Sequence, residues 1–199
     1  IEPWIAASWQ RCLQRGQRPQ DSVGFDLVTT ASLRHVNEGS RSLREAAAPV
    51  LADLSRTIAP TRYFSILTDA QGVVVDVGGA PDRRQRAVQA IARIGVDLSE
   101  GSVGTTAISA ALTERHPVWL HRGEHFFEAT AVYSCAGAPI FGPDGRCAGM
   151  LDLTGVQAEE RPELRHLAAQ MAQRVEQALL LALPHQRLLQ VQWPGPAAA

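Results

Sequence analysis

The chain reads as a single α+β domain, and three patterns lead to that class. Two pairs of apolar, β-branched runs, at residues 63–77 and 131–154, are each joined by a short glycine-containing turn, the mark of antiparallel hairpins. Stripes of apolar residues at helical spacing stand at both ends of the chain. Between the hairpins, Gly101-Ser102-Val103-Gly104-Thr105-Thr106 opens a short apolar helix. Helices gathered around antiparallel strands form an α+β architecture. At 199 residues the chain has enough length for one well-filled core and an appendage.

Taken in order, Pro3 suits a first helical turn. Ile5, Trp9, Cys12 and Leu13 share one face of the helix it opens, with Gly16 as the stop. Arg11 and Arg15 complement the C-terminal end of that helix dipole. Residues 16–29, with Pro19 and Gly24, read as a linker. From Thr30 a second stripe runs through Leu33, Val36, Leu43, Ala47, Val50, Leu54 and Ile58, interrupted at Gly39 and bent or broken near Pro49. So narrow a stripe suits a sheet over one half and a partner helix over the other. The first hairpin turns at Ala70-Gln71-Gly72 and ends at Gly78-Gly79. Pro81 introduces a helix with Val88, Ile91 and Ile94 inward. After the Gly-rich loop come a helix over 103–114, a short strand at 117–120, a loop at 121–130 and the second hairpin, turned by Gly142-Pro143-Asp144-Gly145. Pro162 opens a closing helix whose apolar face carries Leu164, Leu167, Ala168, Met171, Val175, Ala178 and Leu179, and Pro184 ends it.

Composition narrows the function classes. Hydrophobic residues make up 45% and charged residues 20%, ordinary for a soluble globular chain. A net charge of -1 provides no basic field, so direct nucleic-acid contact by this segment is not expected. The three cysteines, Cys12, Cys135 and Cys147, lack framework spacing and indicate a reducing, cytoplasmic setting. No run approaches the length of a membrane span and no signal peptide opens the chain. The first residue is Ile1, which suggests a segment of something longer.

Four constellations carry possible chemistry. The Gly-rich loop, with free backbone N–H groups and the hydroxyls of Thr105 and Thr106, could hold an anionic group, but helix capping explains it equally well. No lysine is present, so it is no P-loop. His121-Arg122-Gly123-Glu124-His125 spells H-x-x-E-H, a zinc-peptidase pattern. That chemistry needs a helix, which Gly123 and the β-like run ending at Leu120 oppose, so catalytic zinc is not expected. A non-catalytic metal site of His121, His125 and Cys135 stays open, beside a plain loop held by its His and Glu. Cys135 and Cys147 on neighbouring strands lack the cationic flank that favours a thiolate and read as small buried residues. Trp119, Phe126, Phe127 and Tyr133 cluster beside Glu124 and His125, as core or as the wall of a mostly apolar cavity.

The runs G-V-D-L-S-E-G-S-V-G-T-T-A-I at 95–108, G-E-H-F at 123–126, C-A-G-A-P-I at 135–140 and GMLDLTG at 149–155, with A-S-W-Q-R-C at 7–12, resemble a GAF sensor domain. More narrowly, they resemble the N-terminal domains of bacterial enhancer-binding activators of the acetoin-catabolism-regulator type. Relatives of that type carry Gly-Thr-Asn where this chain has Gly104-Thr105-Thr106, and Trp where Leu98 stands. The resemblance implies a central antiparallel sheet of about five or six strands. It places terminal helices on one face and a small-molecule pocket on the other. It divides the chain into a helical lead-in at 1–45, a sensor domain at 46–183 and a linker or tail at 184–199. It implies an effector-sensing, non-enzymatic, cofactor-free regulatory domain that forms a homodimer through its terminal helices and signals to a module outside this segment. The expected ligand contacts are Glu100, Thr105, Thr106, Trp119, His125, Phe126, Tyr133 and Cys135, with no metal. Two alternatives share the fold: a module that senses another protein, and a cysteine-dependent reductase of free methionine sulfoxide.

Overall fold

The computed structural model describes residues 2–184, so the tail expected beyond Pro184 lies outside the described residues. Its centre is a five-stranded, wholly antiparallel sheet. The strands are β1 (Tyr63–Asp69), β2 (Val74–Gly78), β3 (Val118–His121), β4 (Tyr133–Phe141) and β5 (Cys147–Val156). They lie in the order β2-β1-β5-β4-β3. The second hairpin therefore inserts its last strand beside the first hairpin, with Ile66 opposite Asp152 and Cys135 opposite Thr154. Both hairpins sit where the alternating runs predict them. The first turns through Gly72, whose positive φ of 88° is open to glycine at no steric cost.

Side chains alternate between the two faces of the sheet, and each face has its own core. On one side α3 (Arg41–Ile58) and α7 (Leu164–Leu181) pack together and bury Leu43, Ala47, Leu54, Ala168 and Val175 against Leu67, Leu151 and Leu153. On the other, α4 (Arg86–Ile91), α5 (Glu100–Val103), α6 (Ala107–Glu114) and α1 (Pro3–Gln14) cover Ile66, Val118, Leu120, Tyr133 and Met150. The helix α2 (Thr30–Gly39) buries none of its residues. The pair α3 and α7 on one face, with the cavity on the other, makes the α+β, GAF-like arrangement expected from the sequence, although the N-terminal helix α1 lies on the cavity side and not with that pair.

Several local expectations are corrected. Pro49 does not break its helix: α3 runs through it, because buried residues before it (Leu43, Ala47) and after it (Val50, Leu51, Leu54) all grip the sheet. The interruption at Gly39 is as expected: Gly39 is the last residue of α2, and Ser40 stands between α2 and α3. The single helix expected over 103–114 is two pieces. Gly104 at φ 69° ends the first, and Thr106 caps the second through a reciprocal pair with Ser109. Ile94 is 49% exposed, since α4 stops at Ile91. Leu13 also faces outward, and α1 instead buries Trp4, Ile5, Ser8 and Cys12.

Residues 16–29 are no free linker. Val23 and Phe25 pack on the core. Leu27 bridges Val96, and the amide of Asp97 donates to the carbonyl of Asp26 at 3.0 Å. With α1 they form a strap across the α6 side of the sheet.

Candidate functional site

Between the sheet and the Gly-rich segment lies a cavity of about 30 Å³, room for one or two waters. The sheet contributes Ile66, Tyr133, Cys135, Asp152 and Thr154. The opposite wall comes from Leu98, Val103, Thr106, Ala107 and Ile108, closed at the sides by Phe25, Ile91, His125 and Thr130. The close approach of α6 to the sheet depends on Gly137: a Cβ there would stand 2.7 Å from the carbonyl oxygen of Ala107.

Four of the eight predicted contacts line this cavity: Thr106, His125, Tyr133 and Cys135. The other four do not. Glu100 is buried in an ion-pair network that fastens α1, accepting from Arg11 (2.7 and 2.9 Å), Arg15 (2.7 Å) and the hydroxyl of Ser8 (2.8 Å). Burial alone would raise its pKa, but these donors outweigh that and hold it at about 2. Thr105 belongs to the same anchor, 2.7 Å from the Ser8 hydroxyl. Phe126 packs with Cys12 and Phe127 in a small cluster of its own and meets Trp9 edge-on at 5.5 Å. Trp119 points away from the cavity. Val118 and Leu120 face the cavity side, so alternation along β3 sends Trp119 and His121 to the α3/α7 side, where their rings stack at 6.1 Å.

The same alternation explains the H-x-x-E-H spelling. His121 holds Ser134 across the strands at 2.8 Å, and Glu124 accepts from the His121 amide at 2.7 Å, closing the turn. His125 lies on the other side, beside Tyr133. Cys135 and His125 thus share the cavity but His121 does not, and among the described residues no group of three His, Cys, Asp or Glu is arranged to hold a metal.

Most polar groups around the cavity are engaged. The Tyr133 hydroxyl donates to the carbonyl of Ala87 at 2.9 Å, and Thr130 donates to Phe127 at 2.8 Å. Thr106 accepts the amide of Ser109 at 3.1 Å. Thr154 lies 3.6 Å from the Cys135 sulfur and donates to Oδ2 of Asp152. Two atoms differ: Nε2 of His125 and Oδ1 of Asp152 are buried without a protein partner. Burial lowers the His125 pKa to about 4, against the opposing effect of its bond to the Arg122 carbonyl. Burial raises the Asp152 pKa to about 7, only partly offset by Thr154. It also pushes the Cys135 thiol well above its ordinary value. Asp152 and Thr154 escaped the sequence reading, although polar residues two apart in the apolar run Met150–Thr154 signal a shared face.

An α+β, GAF-like sheet with a small enclosed, mostly apolar cavity defines a sensory regulatory domain. The chain belongs to the MimR N-terminal domain family, whose model matches residues 3–177. It is 30% identical over 179 residues to the acetoin dehydrogenase operon transcriptional activator AcoR of Bacillus subtilis, covering 88% of this chain and 29% of that protein. It is 30% identical over 182 residues to the propane 2-monooxygenase operon transcriptional activator MimR of Mycolicibacterium goodii, covering 90% and 30%. The chain therefore spans about three tenths of the length of these relatives. The solved structure of the E. coli DhaR(N)-DhaL complex shares the fold, with a TM-score of 0.84 at 20% identity, covering 90% of this chain and 61% of that one.

Proposed function

We propose that this chain is the effector-sensing domain of a cytoplasmic bacterial transcriptional activator, and that its effector is a small molecule bound in the cavity between the sheet and residues 98–108. The observation that supports this most directly is the pair of buried, unpartnered polar atoms on His125 and Asp152 in an otherwise apolar lining. Leaving such atoms unmatched costs about 1–3 kcal/mol each, and a ligand that meets them recovers it. Differential binding worth about 1–3 kcal/mol between two states then suffices to bias a downstream module. Leu180 and Leu181, exposed near the end of α7, are suited to a homodimer contact through the terminal helices.

The cavity offers little to catalysis. Cys135 and Cys147 lie on adjacent strands, but Cys147 pairs with Phe141, six positions from Cys135, about 20 Å along the strand. Both thiols are pushed up by burial, which suppresses the thiolate a reductase needs.

A thermal-unfolding screen of this domain against small metabolites tests the reading, since a ligand of the folded state raises the midpoint by mass action. At least one class should stabilise it, and a Tyr133→Ala variant should lose that effect. A second reading, protein sensing, draws support from the complex in which DhaR(N) was solved with DhaL. A screen without any stabilising molecule, together with a defined protein partner that protects α1 or α2 from hydrogen exchange, would favour it.

A further inference from the structure

At about 30 Å³ the cavity admits one or two waters, so a metabolite enters only when a wall moves. The walls are not equally secured. The Gly-rich side stands behind the ion pairs of Glu100 with Arg11 and Arg15 and behind the Thr106–Ser109 cap. On the loop side, Nδ1 of His125 bonds the carbonyl of Arg122, and Thr130 bonds that of Phe127. Of the described residues that line the cavity, all are buried except Thr106, fixed in its cap, and Phe25. Phe25 therefore stands between the cavity and solvent. Its segment is fastened at two points: the amide of Glu128 donates to the carbonyl of Pro19 at 2.9 Å, and that of Asp97 to Asp26 at 3.0 Å. Between them, among the described residues, no main-chain pair ties the strap to the body. What holds it there is the packing of Val23 and Phe25 and a 2.8 Å bond from the exposed Arg93 guanidinium to the Phe25 carbonyl. Few buried contacts and an exposed hydrogen bond are the marks of a segment that opens locally.

We propose that residues 20–25 form a lid with Phe25 as its plug: swinging outward withdraws the benzyl group from Tyr133, joins the cavity to solvent and makes room for a ligand that the closed form excludes. The inference rests on the small-molecule sensing reading above and supplies the entrance which that reading needs. The opening is a property of the free chain, so a ligand selects the open form.

Cys135 reports the opening, because its buried thiol lines the cavity. The test follows labelling by methyl methanethiosulfonate at pH 7.5, resolved by peptide mass, from zero to sub-denaturing urea. A lid exposes little surface, so the wild-type Cys135 rate at low urea should depend on urea only weakly. Labelling through global unfolding would instead rise with the full slope. Phe25→Ala should speed the shallow branch roughly tenfold, as expected when about half the burial of a phenylalanine no longer holds the closed form. Cys12, buried with Phe126 and Phe127, is the internal control and should keep its rate. Leu54→Ala, which weakens the other face of the sheet, should speed only the steep branch. A Cys135 rate with the full slope from zero urea, a shallow branch unchanged in Phe25→Ala, or equal acceleration of Cys12 overturns the lid. The metabolite screen is read separately. An empty screen beside an opening lid removes the sensing reading alone, and ligand binding without a shallow branch removes the lid alone.

Discussion

Replacing Asp152 by asparagine should change the pH dependence of stability in a way that the buried pair dictates. A pKa displaced by one is worth about 1.4 kcal/mol. His125 titrates at about 4 in the folded chain and 6.5 as an ordinary imidazole. Between those values the unfolded chain takes up a proton that the folded one refuses, so stability rises with pH by roughly 3 kcal/mol and the contribution is complete above 6.5. Asp152 acts in the opposite sense. Its pKa is about 7 when folded and 3.8 when exposed, so in that interval the folded chain keeps a proton that the unfolded one has lost. Stability falls by roughly 4 kcal/mol as pH rises through the same window. From about pH 4 to 6.5 the two slopes nearly cancel, and in the wild-type chain this pair leaves little net dependence.

Asp152→Asn removes one slope and exposes the other. Urea unfolding at half-unit steps from pH 4 to 8 measures it. The stability of the variant relative to wild type should grow by roughly 4 kcal/mol between pH 4 and 7 and then level off. His125→Gln should give the mirror image, a relative gain on acidification from 6.5 towards 4. A variant-minus-wild-type difference for Asp152→Asn that stays flat from pH 4 to 7 would refute the reasoning, because Asp152 would then titrate as an exposed carboxyl.

Three further outcomes follow from the geometry. Glu100→Gln leaves Arg11 and Arg15 without their shared carboxylate and should cost about 1–3 kcal/mol; amide exchange should accelerate in α1 before the sheet. The Glu100 contribution is present above its ordinary pKa of 4.5 and is lost as pH falls towards 2, so the gap between variant and wild type should close in strong acid. Gly104→Ala places a Cβ 2.8 Å from the Phe127 ring at a positive φ and should lower stability by about 1–3 kcal/mol, read from the urea midpoint. Iodoacetamide at pH 7.5 should leave Cys12 and Cys135 unmodified in the native chain and label both in urea; rapid native labelling of Cys135 would revive the reductase alternative.

The strands were legible because alternation and turn glycines are local signals. The terminal helices were legible because their stripes are long. What escaped was decided by contacts across the chain. Glu100 looked like a pocket residue because it stands in the Gly-rich loop, yet it meets Arg11, 89 positions earlier. Trp119 was grouped with Phe126 and Tyr133 by proximity in sequence, although the period of two in β3 already opposes it to Val118 and Leu120. Pro49 signalled a break that tertiary packing overrode. Phe25 sits in a stretch rich in Gly, Pro and polar residues, and nothing local reveals that it turns inward against Tyr133 at 6.3 Å.

The strand that carries Asp152 also suggests how the cavity reaches the terminal helices. β5 is the central strand, paired with β1 on one side and β4 on the other. Asp152 and Thr154 face the cavity, while Leu151 and Leu153, their immediate neighbours, are fully buried beneath α3 and α7. Packed interiors transmit small displacements because they have no slack. A ligand that draws on Oδ1 of Asp152 therefore acts one residue away from the side chains on which both helices rest. The Gly-rich wall offers a second lever, since Val103 and Thr106 touch the cavity while Glu100 and Thr105, interleaved with them, hold α1 through Arg11, Arg15 and Ser8. The two levers separate experimentally. Glu100→Gln should loosen α1 and leave the ligand response of α3 and α7 in hydrogen exchange unchanged, whereas Asp152→Leu should abolish that response with α1 still protected. Loss of the α3 and α7 response in the Glu100 variant would instead place the coupling in the strap.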